Sequence, residues 1–296
     1  MVCGPSETYS LEAREKNHYD LIHFALRGES MIVDWIYNNP TWLWGTVVVV
    51  VFIAVACGGL LVVHRLVHVN LRRAHNDLAG FTIAIIGVLY AVLLAFIAIA
   101  TWESFSRASD LVENESDYAG GIYLDTEGLP QAKGEKIRET IARYVTVVIE
   151  EEWPLQREGK VPVQGWKPLR ELNTEIATIQ PQTLGESVLQ AELLKSCNEL
   201  YEARSSRLSA VTGHVPSVVW WIIFLGAAIT TGYTYFFGFQ NFGMHLAMTA
   251  TLAATLGLIV VLIIALDWPF RGEISISPDP FIMTQQSWSD ATLQKK

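Results

Sequence analysis

The chain has 296 residues, of which 51% are hydrophobic and 17% charged, and its formal net charge at pH 7 is −9. This balance is typical of a small membrane protein with one modest water-exposed part. It argues against a nucleic-acid partner, because no basic patch exists to neutralise phosphates. The three cysteines, Cys3, Cys57 and Cys197, show no CxxC or Cys/His spacing, so we predict neither a disulfide framework nor a zinc site.

The first thirty residues are charged and precede any apolar run, so they do not resemble a cleavable signal peptide. Met31 begins a short stretch that leads naturally into the first apolar run. We therefore expect residues 1–40 to form an N-terminal tail, of which residues 1–30 are either a dispensable extension or one that the native protein lacks.

Four uncharged apolar runs predict membrane-spanning helices at residues 42–63, 81–102, 217–237 and 243–266. A hydrocarbon core of about 30 Å requires about 20 helical residues, and each run supplies that many. None carries an acid or base near its centre, which argues against a pump, a proton-coupled transporter or an intramembrane protease. Short connections pair the runs into two hairpins, at residues 41–102 and 217–266.

The charged middle, residues 103–216, predicts a helical extramembrane module. Apolar residues at helical spacing extend the second span into water as a stalk, which Gly128 and Pro130 end. The same spacing predicts three further helices, at residues 137–153 (stopped by Pro154), 169–179 and 184–211. In the C-terminal tail, 267–296, we expect a short extended segment at 273–277 and a loose end.

Two features of these segments have more than one interpretation. The run Glu150–Glu151–Glu152 would oppose the dipole at a helix C-terminus, so we expect it to be solvated; a divalent cation, Arg204 or Arg207 is the alternative partner. In the second span, small or mildly polar residues share one face: Gly87, Tyr90, Ala91, Leu94 and Ala98. That face lines a pore in one interpretation and packs against another helix in the other.

The positive-inside rule gives an orientation in the cell membrane. The loop at residues 64–79 carries Arg65, Arg72 and Arg73, whereas the stretch just before the first span carries only Arg27. We therefore expect this loop to be cytoplasmic and the module 103–216 to lie outside, with both termini.

Several strings resemble a known family over residues 31–283. They include HNDLAGF at 75–81, GVLYAVLLAF at 87–96 and LDWPFRGE at 266–273. They are similar to the bestrophin-like family of uncharacterised bacterial multi-pass membrane proteins. The residues that carry the resemblance are Asn76, Asp77, Gly80, Glu103, Glu115, Glu152, Trp153, Pro154, Arg204, Arg207, Asp267, Pro269, Phe270 and Gly272.

The resemblance implies a distant similarity to bestrophins, which are oligomeric anion channels with two membrane hairpins around a helical domain. In bestrophins the second span lines the pore, the large domain is cytoplasmic, and an acidic stretch after the fourth span helps to bind calcium. This chain inserts Arg271 into that stretch and lacks the following acids, so calcium gating is not expected.

The sequence therefore predicts an all-α membrane protein with four transmembrane helices in two hairpins that flank a helical extramembrane module. We expect a homo-oligomer in the lipid bilayer that conducts inorganic ions, anions by the resemblance, with the second span lining the pore. The alternative is a non-conducting scaffold or sensor whose module binds a partner. No enzyme signature, catalytic residue or cofactor site is predicted.

Overall fold

The computed structural model describes residues 31–67 and 76–294. Its α-helices include α1 Thr41–Leu66, α2 Asn76–Asp125, α3 Gln131–Val147, α4 Trp153–Arg157, α5 Trp166–Ala177, α6 Leu184–Val211, α7 Ser217–Thr234, α8 Phe242–Asp267 and α9 Asp279–Gln294. Residues 31–37, before α1, are also helical. These residues contain no strand, and the all-α prediction is confirmed. The predicted extension 1–30 and residues 68–75 of the basic loop, with Arg72 and Arg73, lie outside the described residues.

Four helices are long and apolar enough to cross a membrane: α1, α2, α7 and α8. Helix α2 has 50 residues, about 75 Å at 1.5 Å per residue, so only part of it fits within a bilayer. The rest continues as the predicted stalk. A 3₁₀ turn, Thr126–Gly128, follows its end, and Pro130 comes just before α3. The two predicted hairpins, α1 with α2 and α7 with α8, are confirmed.

Helix α2 has two faces with the same period of seven residues. One is buried inside the chain and includes Leu94, Thr101, Ala108, Glu115 and Ile122. The other is exposed and includes Leu89, Phe96, Glu103, Asp110 and Asp117. Because both stripes run from the membrane half into the stalk, α2 presents one continuous face to the rest of the chain and one away from it.

Within the membrane, α1 packs closely against α8 through glycines. A Cβ on Gly257 would lie 3.2 Å from the Val49 Cα, and one on Gly45 would lie 3.2 Å from a Val261 methyl carbon. Small residues let the two backbones approach to van der Waals contact, which is the main source of helix association in lipid.

The two hairpin connections are tied together at the end of the membrane region far from the module. The Asn76 side-chain amide donates to the Gly238 carbonyl oxygen at 3.2 Å, and the Gly238 N–H donates to Asn76 Oδ1 at 2.9 Å. One side chain thus satisfies both polar groups of a backbone residue in the α7–α8 loop. Asn76, one of the residues that carry the family resemblance, thus joins one hairpin to the other.

In the module, the stalk half of α2 packs with α3, α5, α6 and α9 around a core that includes Ile141, Tyr144 and Leu200. Much of the C-terminal tail is ordered, since α9 docks on the core; the Lys-ending terminus itself, residues 295–296, lies outside the described residues. Phe281 is fully buried, and the Trp288 ring stacks on Tyr123 with centroids 4.3 Å apart.

The predicted helix end at Pro154 is wrong. Helix α3 passes into a π-helical segment, Val148–Glu152, and continues through Pro154 to the end of α4. Pro154 lies in the first turn of α4, directly after the wider π turn, which already interrupts the regular i→i−4 hydrogen-bond ladder that proline would break. The wider π turn shifts the helix phase and brings Glu152 and Trp153 into the core. Pro168 is likewise tolerated in the first turn of α5, which begins at Trp166 rather than at residue 169.

Candidate functional site

Four charged side chains lie together in the core of the module with no exposure to solvent. Glu115 comes from the buried stripe of α2, Glu152 from the π segment, and Arg204 and Arg207 from α6. We call these four residues the charge network. Its formal charges sum to zero, which is the condition under which ions are tolerated in a low-dielectric core.

The network is a chain of ion pairs in which both arginines share Glu152. Arg207 forms a bidentate pair with Glu115, from Nε to Oε2 at 2.6 Å and from Nη2 to Oε1 at 3.0 Å. Arg204 forms a second bidentate pair with Glu152, at 2.8 and 2.5 Å. The two pairs are linked because Arg207 Nη2 also donates to Glu152 Oε2 at 3.3 Å. Planar two-point pairing of this kind fixes orientation as well as distance.

Neutral groups add further hydrogen bonds to the network. The Tyr144 hydroxyl donates to Glu115 Oε1 at 2.5 Å, and Gln156 Oε1 accepts from Arg207 Nη1 at 2.8 Å. The Gly165 N–H donates to Glu152 Oε1 at 2.7 Å. Only glycine fits at position 165, because a Cβ there would lie 2.7 Å from Arg204 Nη1.

Aromatic rings form the remaining walls. The Arg204 guanidinium lies over the Trp166 ring at 4.7 Å from its centroid, and Arg207 lies over Trp153 at 5.5 Å. These faces offer cation–π attraction in place of water. Trp153 also contacts Phe270, so the network extends to the segment that follows the fourth span.

Burial and pairing act in opposite directions on the pKa values of these groups. Burial opposes ionisation of Glu152, but the hydrogen bonds and charges of Arg204 and Arg207 outweigh it and hold its pKa below the ordinary value. Burial likewise opposes the charge on Arg207, yet the Glu115 carboxylate raises the pKa of this guanidinium. Burial, and then the charge of Glu115, raise the pKa of Tyr144, so this phenol stays protonated and donates.

The expectation of a solvated acidic run holds for Glu150 and Glu151, which are exposed, and is wrong for Glu152. For Glu152, the alternative of an arginine partner is correct, and both Arg204 and Arg207 pair with it. The sequence carried a signal for the burial of these charges. Arg204 lies in phase with the apolar stripe of α6, and Glu115 lies in phase with that of α2.

A second group of family residues lies where α8 leaves the membrane. Asp267 Oδ1 accepts from the Val215 N–H at 2.6 Å, which ties the end of α8 to the start of α7. Gly272 has φ +85°, and a Cβ there would lie 3.0 Å from the Tyr37 ring, so both conformation and space favour glycine. Pro269 and Phe270 are buried beside them.

Arg271 fastens this exit to the segment that precedes α1. Its guanidinium pairs with Asp34 at 2.7 Å and lies 5.3 Å from the ring centroids of both Tyr37 and Trp268. Two residues further on, Glu273 Oε2 accepts from the Thr41 N–H at 2.8 Å and so caps α1. Sequence reasoning missed Asp34 and Tyr37, because their partners lie more than 200 residues away.

The calcium-binding stretch implied by the resemblance does not fit these residues. A buried guanidinium, that of Arg271, stands in the middle of it, and Glu273 is engaged as a helix cap. Across residues 31–67 and 76–294, no group of three or more His, Cys, Asp or Glu is placed to hold a metal ion.

The residues of the predicted small-residue face of the second span differ in their burial. Tyr90 and Leu94 are buried against α7 and α8, and the Tyr90 hydroxyl donates to the Ile223 carbonyl oxygen at 2.5 Å. The Tyr90 ring lies against Gly226, where any Cβ would collide with it. These contacts support the packing interpretation for Tyr90 and Leu94. Ala98 packs at the edge of the same cluster, Gly87 is half-buried and Ala91 is exposed.

Other family residues lie apart from both groups. Asp77 and Glu103 are exposed, at opposite ends of the membrane half of α2, and Gly80 is half-buried near its start. Pro154 is exposed on α4. The structure thus brings Glu115, Glu152, Trp153, Arg204 and Arg207 together in one site.

Replacing Arg207 by methionine is expected to lower the free energy of unfolding by about 3–5 kcal/mol, because it leaves the Glu115 carboxylate buried without its bidentate partner. Chemical denaturation of the detergent-solubilised protein measures this loss. The matched control is Arg143→Met, which removes an exposed pair with Glu171 and should cost less than about 1 kcal/mol. Equal losses in the two variants would contradict a stabilising role for the network.

The lowered pKa of Glu152 predicts a pH dependence. A depressed folded-state pKa contributes stability that is fully present above the ordinary value of 4.5 and is lost as the pH falls through the lowered pKa. The difference in unfolding free energy between the wild type and Glu152→Gln should therefore be largest above pH 4.5 and shrink below it. A difference that stays constant over this range would be inconsistent with a depressed pKa.

Comparison with known proteins agrees with this architecture. A bacterial bestrophin homologue from Klebsiella pneumoniae, solved as a point mutant, has a TM-score of 0.60 at 12% identity and covers 82% of this chain and 98% of its own. A second mutant of that homologue has a TM-score of 0.59 at 12% identity, covering 80% of this chain and 98% of its own. The crystal structure of a membrane protein variant has a TM-score of 0.59 at 11% identity, covering 82% and 97%.

At these identities the likeness shows the fold alone. No curated protein matches the sequence. The model of the Bestrophin-like domain matches residues 50–281, well over half of the sequence, so the chain belongs to the Bestrophin-like domain family.

Proposed function

We propose that copies of this chain assemble in the lipid bilayer around an axis lined by α2 and that the assembly conducts ions. The observation that carries the proposal is the exposed stripe of α2, which no described residue of the same chain covers. Leu89 and Phe96 represent it within the membrane, and Glu103, Asp110 and Asp117 continue it beyond. This pore face lies beside the packed residues Tyr90 and Leu94 rather than on them.

The stripe remains one face over its whole length. A straight α-helix drifts by about 20° per seven residues, so the four intervals from Leu89 to Asp117 accumulate only about 80°. A channel that crosses the membrane and opens through an extramembrane vestibule requires such a continuous face. The 50-residue length of α2 supplies it without a break.

The charges on the stripe favour a water-filled axis over a dry seam. In a symmetric assembly, identical residues of each copy meet around the axis. Glu103, Asp110 and Asp117 would then face their own copies, and close contact of like charges without water is destabilising. A hydrated opening lets the carboxylates keep their water, while apolar side chains at membrane depth provide the narrow part.

The same charges bear on the transported ion. Carboxylates around an opening concentrate cations and repel anions. We therefore expect a preference for cations, whereas the resemblance to bestrophins implies anions. The orientation remains part of this proposal: the loop arginines favour the module outside, and the resemblance favours it in the cytoplasm.

The second candidate is the non-conducting scaffold or sensor. It is favoured by the size of the side chains on the stripe, since both Leu89 and Phe96 are 68% exposed and would close a narrow axis. Hydrophobic constrictions also gate open channels, so conductance separates the two candidates.

Substitution Leu89→Ala is expected to raise the single-channel conductance of the protein reconstituted in planar bilayers, because it widens the apolar part of the axis. The matched control is Leu225→Ala on α7, which removes a leucine of similar exposure, 61%, away from α2. It should leave the conductance unchanged. Silent bilayers for the wild type and Leu89→Ala, with intact oligomers present, would favour the scaffold.

Neutralising the stalk acids tests the ion preference. With Glu103→Gln, Asp110→Asn and Asp117→Asn combined, the reversal potential in a KCl gradient should move from the cation side towards zero, because the negative field of the vestibule is removed. Asp77→Asn, at the other end of α2, is the control. An unshifted potential would place these acids away from the conduction path.

A further inference from the structure

A cavity of about 430 Å³ lies at the module end of the membrane region, and none of the charge network's residues lines it. It is bordered by α2, by the connection between α6 and α7, and by the last turn of α8. The residues that decide its chemistry are Leu93, Phe96, Thr101, Ser104, His214 and Asp267.

The lining changes character along the direction in which α2 crosses the membrane. Leu93 and Phe96 lie at the deeper end, and Thr101 and Ser104 at the end near the module. From residue 93 to residue 104 the helix rises about 16 Å. An apolar end within the hydrocarbon and a polar end at headgroup depth match the two parts of an amphiphile that stands in the bilayer.

Asp267 provides the charge at the polar end. Its side chain is buried, with 9% exposure, and Oδ1 accepts one hydrogen bond, from the Val215 N–H. In the described part of the chain, no lysine or arginine lies within salt-bridge distance of it. His214 borders the same end, but its ring is exposed, stacks on Trp268 and directs Nδ1 to the Thr212 carbonyl oxygen.

We propose that this cavity binds an amine-headed phospholipid, with the ammonium group at Asp267 and one acyl chain along Leu93 and Phe96. A buried carboxylate with a single backbone partner gains most from a ligand that brings both a positive charge and N–H donors. The Ser104 hydroxyl borders the same end and supplies a donor for the lipid phosphate. This site does not depend on conduction.

The lining also selects against other lipids. An anionic head with no cation would meet the Asp267 carboxylate as a like charge, and no lysine or arginine lines the cavity to offset it. A purely apolar ligand would fill the deep end but leave the carboxylate unpaired. A difference in affinity between lipids that differ only in their head group is therefore the measurement that detects this site.

The experiment uses the full chain, solubilised in detergent and stripped of lipid, and titrates phosphatidylethanolamine and phosphatidylglycerol with identical acyl chains while native mass spectrometry counts bound lipid. The wild type should bind phosphatidylethanolamine at least about tenfold more tightly, the factor equivalent to about 1.4 kcal/mol. Asp267→Asn should abolish this preference. Asp110→Asn, an exposed acid on α2 outside the cavity, should retain it.

A second variant keeps the test decisive if Asp267→Asn does not fold. Ala100 lines the cavity and is exposed, so Ala100→Trp fills the space without disturbing the core. It should lose tight phosphatidylethanolamine binding while its melting temperature in lipid-free detergent is unchanged. Equal affinity of the wild type for the two lipids would overturn the proposal. A preference for phosphatidylethanolamine that survives Ala100→Trp would also overturn the proposal. It would mean that the lipid binds elsewhere, as expected if a neighbouring subunit occupies the cavity.

Discussion

The chain from Glu115 through Arg207 and Glu152 to Arg204 is the constraint on which the rest of this structure depends. Four ions cost a large desolvation energy in a core, and their mutual attraction offsets it only when every bidentate contact is made. The network therefore selects one register of α6 against α2 and one phase of the π segment. A shift of α6 by one turn would leave at least one carboxylate buried and unpaired.

Because α2 passes without a break from the network into the membrane, positioning Glu115 also positions the second span. Two further contacts restrict the positions of the two hairpins. Asn76 joins their connections at the far end, and Arg271 holds the segment before α1 to the exit of α8. The residues at these two contacts hold the fold together. With the chain secured on one side of α2, the other side is left uncovered by the described residues.

Local patterns were enough to predict the elements whose signal is local. The four spans follow from uninterrupted apolar runs, and the bounds of α6, 184 and 211, follow from its amphipathic spacing. Contacts between distant segments gave no such signal, so the docking of α9 and the pairing of Asp34 with Arg271 were missed. Glu152 was misjudged because it sits in an acidic run, while its partners lie 52 and 55 residues away. Within the membrane, packed and lipid-exposed faces are equally apolar, so Tyr90 and Leu94 could not be assigned to packing by composition.

The two proposals meet at one residue. Phe96 lies on the exposed stripe of α2 and also lines the cavity that ends at Asp267. A side chain shared by two spaces occupies one at the expense of the other, because its staggered rotamers point in discrete directions. An acyl chain along Phe96 would exclude the rotamer that turns into the cavity and favour the one that narrows the axis. Lipid occupancy and the width of the apolar constriction would then be coupled through a single torsion, with reciprocal effects as linkage requires.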